Sequence, residues 1–283
     1  EGRGEGVGVI KNQVTLLPGS HLTPADVEEL KVLCEDFGLD PVVIPDLSNA
    51  LDGHIDATVS PLSTGGIGVE RIRRAGSSCA ILYFGDSLAK AARILGERCH
   101  TPHYGFTSVT GLAEVDRLLI VLGELAGVDI PGKYRLQRSR LCDAMVDCHY
   151  QFGGKKVALA GEADLLKTLT PFLHGLGCDI RLALAATRVR GLEQLPGALV
   201  TTGDLEDLEQ QAAGVDLLVA NSNGRQAAAK LGIKSHLRAG YPVFDRIGAH
   251  QRTWVGYRGT MQLIFEVGNL FMANSKEATK QHN

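Results

Sequence analysis

The feature that most constrains the fold is a regular alternation of short aliphatic runs and amphipathic stretches. Residues 79–84 and 179–185 have the length and composition of buried strands. Stretches with apolar residues every three or four positions follow such runs, and glycines mark the turns. A strand, a helix and a second strand connected in this way pair in parallel and with a right-handed crossover. The alternation therefore predicts an α/β fold with doubly wound parallel sheets.

The first helix has a well-defined predicted start. Thr23 is placed as the N-cap, Pro24 as the first helical residue and Asp26 at the positive end of the helix dipole. Gly38 supplies the stop. With strands predicted at residues 14–17 and 41–44, this region forms one βαβ unit.

A chain of 283 residues is long enough for two domains. We expect a first α/β domain at residues 1–130, whose residues 1–10 are linker-like. A second domain is expected at 154–273, followed by a polar tail at 274–283. Residues 134–152 lack Gly and Pro, so a long connecting helix is predicted within 131–153.

The composition excludes some classes of protein. A net charge of -3 argues against general binding to nucleic acid or to anionic membranes, and the apolar runs are too short to span a bilayer. The six cysteines show no C-x-x-C spacing and lie in or beside apolar segments. They are predicted to be free thiols of a cytoplasmic protein.

Polar loops are the candidates for a site. Residues 63–68, which include Thr64, Gly65 and Gly66, form a glycine-rich loop that either holds an anion with backbone N–H groups or is a plain tight turn. In the second domain, Gly161, Thr202-Gly203 and the loop that begins with Asn221 and Ser222 all follow strands. They are expected at the carboxyl edge of the sheet, where ligands bind in such folds.

The stretch 238–261, called the crossover segment below, leaves from that same edge. It contains the only Trp, four Arg, Asp245 and His250, and its four Gly and one Pro exclude a single long helix or strand. Two interpretations stay open: a binding site or interface, and a surface crossover with solvated arginines.

Motifs of catalysis are absent from the sequence. There is no G-x-S-x-G, no H-E-x-x-H, no Walker A loop and no G-x-G-x-x-G between a strand and a helix. The nine histidines have no metal-ligand spacing. We therefore predict no catalytic residues and no metal ligands in this chain.

Five segments, in this order, resemble the NifN family of nitrogenase cofactor biosynthesis proteins, which is similar to the nitrogenase β subunit. The resemblance covers nearly all of the chain. The segments are PDLSNALDGH (45–54), LSTGG (62–66), LCDAMVDCH (141–149), TGDLEDLE (202–209) and GYPVFDRIGAHQRTWVGYRGTM (240–261).

The resemblance implies the nitrogenase component fold, with the middle and last of its three Rossmann-like α/β domains present and the amino-terminal domain missing. It implies a scaffold rather than an enzyme, on which an iron–sulfur precursor of the iron–molybdenum cofactor is completed. The implied partners are a NifE-like subunit, in a heterotetramer, the nitrogenase iron protein and a cluster-donor protein.

None of the six cysteines matches the family's cluster ligand, so no cluster is expected on this chain alone. The alternative is an oxidoreductase subunit, such as a nitrogenase β subunit or its protochlorophyllide reductase counterpart. On the family reading, Asp245, Arg246, His250 and Arg258 fix the crossover segment against a neighbouring domain or the partner subunit.

Overall fold

The computed structural model describes residues 8–49 and 65–280, with the side chains of residues 275–280 not described. The chain divides into two compact units. One comprises Glu1–Gln137 and His250–Gly256, and the other comprises Arg138–Ala249 and Tyr257–Asn283. The chain passes from the first unit to the second inside a 21-residue helix, Gly132–Phe152. This long helix was predicted from the sequence.

The first unit contains a four-stranded parallel sheet among its described residues. Leu16, Ile81 and Leu82 are almost fully buried in its core. The strands are β1 (Ile10–Pro18), β2 (Asp40–Val43), β3 (Ser78–Phe84) and β4 (His103–Phe106), in the order β2-β1-β3-β4. The helices are α1 (Pro24–Asp36), α2 (Val69–Arg74), α3 (Ala89–Cys99), α4 (Leu112–Ala126) and the start of α5 (Gly132–Phe152).

The carboxyl ends of β1 and β3 come very close together. A Cβ atom added to Gly19, directly after β1, would lie 2.4 Å from the carbonyl oxygen of Phe84. Only glycine therefore fits at this position without a shift of the backbone.

The second unit contains a five-stranded parallel sheet among its described residues. Its strands are β5 (Lys156–Gly161), β6 (Asp179–Ala185), β7 (Val200–Thr202), β8 (Leu217–Ala220) and β9 (Ser235–Arg238), in the order β7-β6-β5-β8-β9. Its helices, besides most of α5, are α6 (Ala163–Gly175), α7 (Leu205–Gln211), α8 (Arg225–Lys230) and α9 (Gly256–Lys280). The predicted α/β class with two parallel sheets is thus confirmed. None of the described helices combines the length and hydropathy that a membrane-spanning segment needs.

The structure differs from the sequence-based expectations at two elements. Strand β4 was not predicted, because three of its four residues are only partly buried or exposed and its sequence lacks an aliphatic run. A polar tail was expected at residues 274–283, but helix α9 starts at Gly256 and continues to Lys280. Residues 273–280 contain Ala, Lys and Glu, which favour a helix although they look like a polar tail.

The predicted cap of α1 is present and also holds a distant part of the chain. Thr23 Oγ1 accepts a hydrogen bond from the backbone N–H of Asp26, and Asp26 Oδ2 accepts one from the N–H of Thr23. This reciprocal pair is a capping box. Thr23 Oγ1 also donates to the carbonyl oxygen of Arg252 at 2.7 Å.

The second oxygen of the Asp26 carboxylate fixes residues 253–255. Asp26 Oδ1 accepts hydrogen bonds from Thr253 Oγ1 at 2.9 Å, from the N–H of Trp254 at 2.8 Å and from the N–H of Val255 at 3.3 Å. Asp26 is 4% exposed, so water does not replace these bonds. The carbonyl oxygen of Trp254 accepts a further bond from Thr110 Oγ1. Residues 252–255 are therefore attached to the first unit through backbone atoms.

We predict that Asp26→Ala lowers the free energy of unfolding by about 3 kcal/mol, because it removes one of the two bonds of the capping box and leaves buried N–H groups without an acceptor. Denaturant unfolding measures this effect. The control is Glu28→Ala, which removes an exposed acid from the same helical turn and costs less than about 0.5 kcal/mol. Equal effects of the two substitutions would contradict the role given to Asp26.

Candidate functional site

The strand order places the ligand-binding edge of the second unit. The chain runs outward from β5 through β6 to β7 and then crosses to the other side of β5 for β8 and β9. In such sheets the crevice lies at the carboxyl ends of the two strands where the direction of winding changes. Those strands are β5 and β8, which end at Gly161 and Ala220. Asn221 and Ser222 follow β8 directly, as predicted.

A buried ion pair lies at the carboxyl end of β9, the strand next to β8. The carboxylate of Asp245 accepts hydrogen bonds from Arg238, the last residue of β9, with Nη2 at 2.6 Å from Oδ2 and Nε at 3.2 and 3.3 Å from the two oxygens. The two side chains are 7% and 10% exposed. A bidentate hydrogen bond between a guanidinium and a carboxylate is both strong and directional.

Ser222 completes the cluster around this carboxylate. Its hydroxyl group donates to Asp245 Oδ1 at 2.5 Å and accepts the N–H of Phe244 at 3.0 Å. The hydrogen bonds from Arg238 and Ser222 hold the pKa of the Asp245 carboxyl well below its usual range. Asp245 therefore stays ionised in the folded protein near neutral pH. Its hydrogen bonds hold the crossover segment at the carboxyl ends of β8 and β9.

Backbone contacts attach the same segment to the end of β8. The side-chain amide of Asn221 donates to the carbonyl oxygen of Tyr241 at 2.8 Å. The N–H of Ser222 donates to the carbonyl oxygen of Pro242 at 3.1 Å. These bonds, with the Asp245 cluster, determine the path of residues 241–245.

His236 lies beneath the cluster in the core of the sheet. It is 7% exposed, and its Nε2 is 3.1 Å from the carbonyl oxygen of Ala220. Burial, together with the positive charge of Arg238, lowers the pKa of His236 to about 4. The imidazole is therefore neutral at physiological pH, and Nε2 is the donor.

The other side of the crossover segment faces solvent. Tyr241, Phe244 and Ile247, called the apolar crest below, are 46%, 63% and fully exposed. Arg246 is also exposed, and its Nη1 donates to the carbonyl oxygen of Asp245. Large apolar side chains on a segment held from below by an ion pair are typical of a surface that binds another protein.

The residues predicted for the site do not all come together. Asn221, Ser222 and Asp245 form one cluster. His250 belongs to the first unit, and Arg258 is an exposed residue of α9 in the second.

The predicted glycine loop lies in the first unit. Thr64 is outside the described residues. Gly65 and Gly66 have φ angles of 122° and 86° and lead into α2, which has only six residues.

The sequence patterns did not predict the positions of Arg238 and His236. Arg238 was only one of four arginines in the crossover segment, and His236 was only one of nine histidines without metal-ligand spacing. The signal for Arg238 is a cation at the last position of a buried strand, close in sequence to Asp245. A charge in that position requires a partner.

Burial changes the chemistry of several cysteine thiols. All six are free thiols. Burial raises the pKa of the Cys178 thiol to about 12 and also raises the pKa values of Cys34, Cys79 and Cys148, which disfavours the thiolate that a metal binds. Among the described residues, no group of three or more His, Cys, Asp or Glu is arranged to hold a metal ion.

We predict a pH dependence of stability from His236. The unfolded chain takes up a proton below the unfolded pKa of about 6.5, whereas the folded chain does so only near pH 4. Stability therefore falls as the pH drops from about 6.5 to 4, by about 2 kcal/mol at pH 5 relative to neutral pH.

The matched variant is His236→Gln, which keeps an N–H donor for Ala220 and does not titrate. Urea unfolding between about pH 7 and pH 5 compares the two proteins. The variant should lose about 2 kcal/mol less than the parent over this range. If the free energy of unfolding changes equally with pH in both proteins, His236 is not a neutral, buried histidine in the folded state.

Comparisons with known proteins match most of the chain. Residues 4–272 match the family described as nitrogenase component 1 type oxidoreductase. The NifN nitrogenase iron-molybdenum cofactor biosynthesis protein of Nostoc sp. is 44% identical over 260 residues, which are 92% of this chain. NifN of Mesorhizobium japonicum is 42% identical over 270 residues, or 95% of this chain. In each case the chain spans 58% of the relative's length.

The fold also matches solved structures. A chain of the structure described as nitrogenase Cp1 at pH 6.5 superposes with a TM-score of 0.87 at 28% identity, over 94% of this chain and 61% of the other. The expected fold is therefore confirmed from both sequence and coordinates. The two parallel sheets, the sequence match and this superposition agree with one another. The chain therefore belongs to the nitrogenase component 1 family and is a homologue of the NifN proteins.

Proposed function

We propose that this chain is part of a cytoplasmic scaffold subunit for assembly of the nitrogenase iron–molybdenum cofactor. In this role it pairs with a NifE-like subunit, and the complex receives an iron–sulfur precursor from a cluster-donor protein. The nitrogenase iron protein docks on the complex. The cluster is the cargo of this process, and residues of the present chain position protein surfaces around it.

The similarity to NifN proteins supports the cofactor-assembly role, because both relatives carry that function in their names. The structure of the crossover segment supports a scaffold role. Its inner side is fixed by the Asp245 carboxylate, and its outer side presents the apolar crest. A rigid, exposed apolar segment suits recognition of a partner because little conformational entropy is lost on binding.

The chemistry of the thiols supports a chain that does not hold the precursor by itself. Thiolates are the usual ligands of iron–sulfur clusters, and burial disfavours them at Cys34 and Cys178. We therefore assign the ligands of the precursor to other parts of the complex. Thr64, Gly65, Gly66, Asn221 and Ser222 remain proposed as loop residues near the cavity or interface.

The role of the crossover segment predicts an assembly defect. Arg258→Ala should weaken binding to the NifE-like subunit at least about tenfold, the effect of losing one well-placed cation at an interface. Arg258 is exposed, so the isolated variant should keep the unfolding midpoint of the parent. Pull-down of the NifE-like subunit, quantified by titration, measures the effect.

The control for this experiment is Arg181→Ala. Arg181 lies near the start of β6, at the amino edge of the sheet, where it pairs with Asp179. This variant should bind the partner as the parent does. Equal retention of the partner by both variants would count against an interface at Arg258.

A second candidate function is that of an oxidoreductase subunit. The family description and the superposition with a nitrogenase chain favour it. Acetylene reduction by the complete complex with the iron protein separates the two functions. A scaffold reduces acetylene far more slowly than nitrogenase, whereas turnover at nitrogenase rates supports the oxidoreductase.

A further inference from the structure

A cavity of about 230 Å³ lies in the first unit beside the strand β2. β2 is the outermost strand of the four-stranded sheet that the structure describes. Three of its four residues line the cavity, and helix α1 and the segment 66–71 form the other walls. Five charged side chains belong to the lining, namely Lys31, Glu35, Asp40, Asp46 and Arg71.

Two ion pairs account for four of these five charges. Lys31 Nζ lies 3.1 Å from Asp46 Oδ2. Arg71 Nη2 lies 2.6 Å from Asp40 Oδ1. The remaining carboxylate, that of Glu35, is exposed and has no hydrogen-bond donor in the described part of the chain. Two positive and three negative groups leave a net charge of -1, which favours a ligand with a single positive charge.

The outer edge of β2 adds a peptide group to the lining. Val43 is the register partner of Leu16 in β1, and the N–H of Ile44 donates to the carbonyl oxygen of Leu16 at 2.9 Å. Hydrogen bonds to a parallel neighbour come from every second residue, so the N–H and C=O of Val43 face away from β1. Pro41 faces the same way, and its carbonyl oxygen accepts a hydrogen bond from Arg71 Nη2 at 3.0 Å. The outward peptide group of Val43 therefore lies on the side of the cavity.

Prolines limit how much of a second strand this edge accepts. The positions that face outward between residues 41 and 45 are 41, 43 and 45, and Pro41 and Pro45 have no N–H. Val43 consequently supplies the one outward N–H in this range. A long strand does not add to such an edge. One residue of an extended peptide, in contrast, pairs with Val43 through its own N–H and C=O.

The groups that remain unused in the cavity are mainly acceptors. They include the Glu35 carboxylate and the C=O of Val43, whereas Lys31 and Arg71 are paired with aspartates. A guanidinium carries one positive charge and five N–H donors in one plane, and it binds a carboxylate through two parallel hydrogen bonds. An ammonium group has three donors around one point and no planar fork. The lining therefore fits a guanidinium better than an ammonium group.

We propose that this cavity binds an arginine side chain that a partner protein presents on an extended peptide. Glu35 receives the guanidinium, and the peptide group of Val43 pairs with the backbone of the same arginine. The site belongs to the first unit, whereas Arg258 and the apolar crest belong to the second. It does not depend on the cofactor-assembly role, because the charges and the strand edge of the cavity alone define it.

Isothermal titration calorimetry of the full natural polypeptide with Nα-acetyl-arginine amide tests the site, at about 0.15 M ionic strength to screen general attraction. The matched ligand is Nα-acetyl-citrulline amide, which has nearly the same shape and no charge. The variants are Glu35→Gln and Glu28→Gln. Glu28 is an exposed acid of the same helix that does not line the cavity. Both side chains are exposed, and circular dichroism should give unchanged unfolding midpoints.

The arginine compound should bind at least about fivefold more weakly to Glu35→Gln, and less than about twofold more weakly to Glu28→Gln. The citrulline compound should bind the parent at least about fivefold more weakly than the arginine compound. No heat of binding up to about 20 mM, equal affinities of the two compounds, or equal weakening in the two variants would overturn the proposal.

Methylguanidinium tests the part of the proposal that concerns the peptide. It has the same charged group but no backbone to pair with Val43, so it should bind at least about threefold more weakly than the arginine compound. Methylguanidinium binding as tight as that of the arginine compound would overturn the assignment of a peptide ligand.

Discussion

The carboxylate of Asp26 is the acceptor on which the path of the chain after residue 250 depends. One of its oxygens closes the cap of α1, and the other accepts the backbone N–H groups of Trp254 and Val255. A buried carboxylate with several donors is stable, whereas the same donors without it would be left unsatisfied. Because residues 252–255 are held at this point, α9 has a fixed start at Gly256.

At its other end the crossover segment is held by Asp245. Taking Asp245 and Arg238 out of water costs free energy, which their paired hydrogen bonds and the Ser222 hydroxyl offset. The ion pair therefore fixes the position of the crossover segment more than it adds to the net stability of the protein. Together with the bonds of Asn221 and Ser222, this cluster restricts residues 241–245 within the second unit. The apolar crest is consequently presented to solvent from a rigid base, and this is the physical basis of the proposed scaffold surface.

The local features of the fold follow from the sequence, and the long-range ones do not. The capping residue Thr23 was predicted because N-caps depend on neighbouring residues. The contacts of Asp26 with Thr253 and Trp254 join residues more than two hundred positions apart, so no local pattern reports them. Strand β4 was missed for a related reason, since its pairing with β3 rather than its own composition makes it a strand.

In the candidate site, too, the sequence predicted the local features but not the long-range contacts. Alternation of strands and helices was sufficient to place Asn221 and Ser222 at the carboxyl edge. The pairing of Asp245 with Arg238 required the orientation of two side chains across a turn. Residue spacing does not encode that orientation.

Hydrogen exchange of the crossover segment, followed by mass spectrometry, tests this account most directly. In the isolated chain, peptides that contain residues 244 and 254–255 should exchange slowly, and Asp245→Asn should speed exchange at 244 but not at 254–255. In complex with the NifE-like subunit, exchange at residues 246–250 should slow at least about tenfold. Exchange at the rate of an unstructured peptide in the isolated chain, or no change at 246–250 on assembly, would contradict a rigid segment that docks the partner.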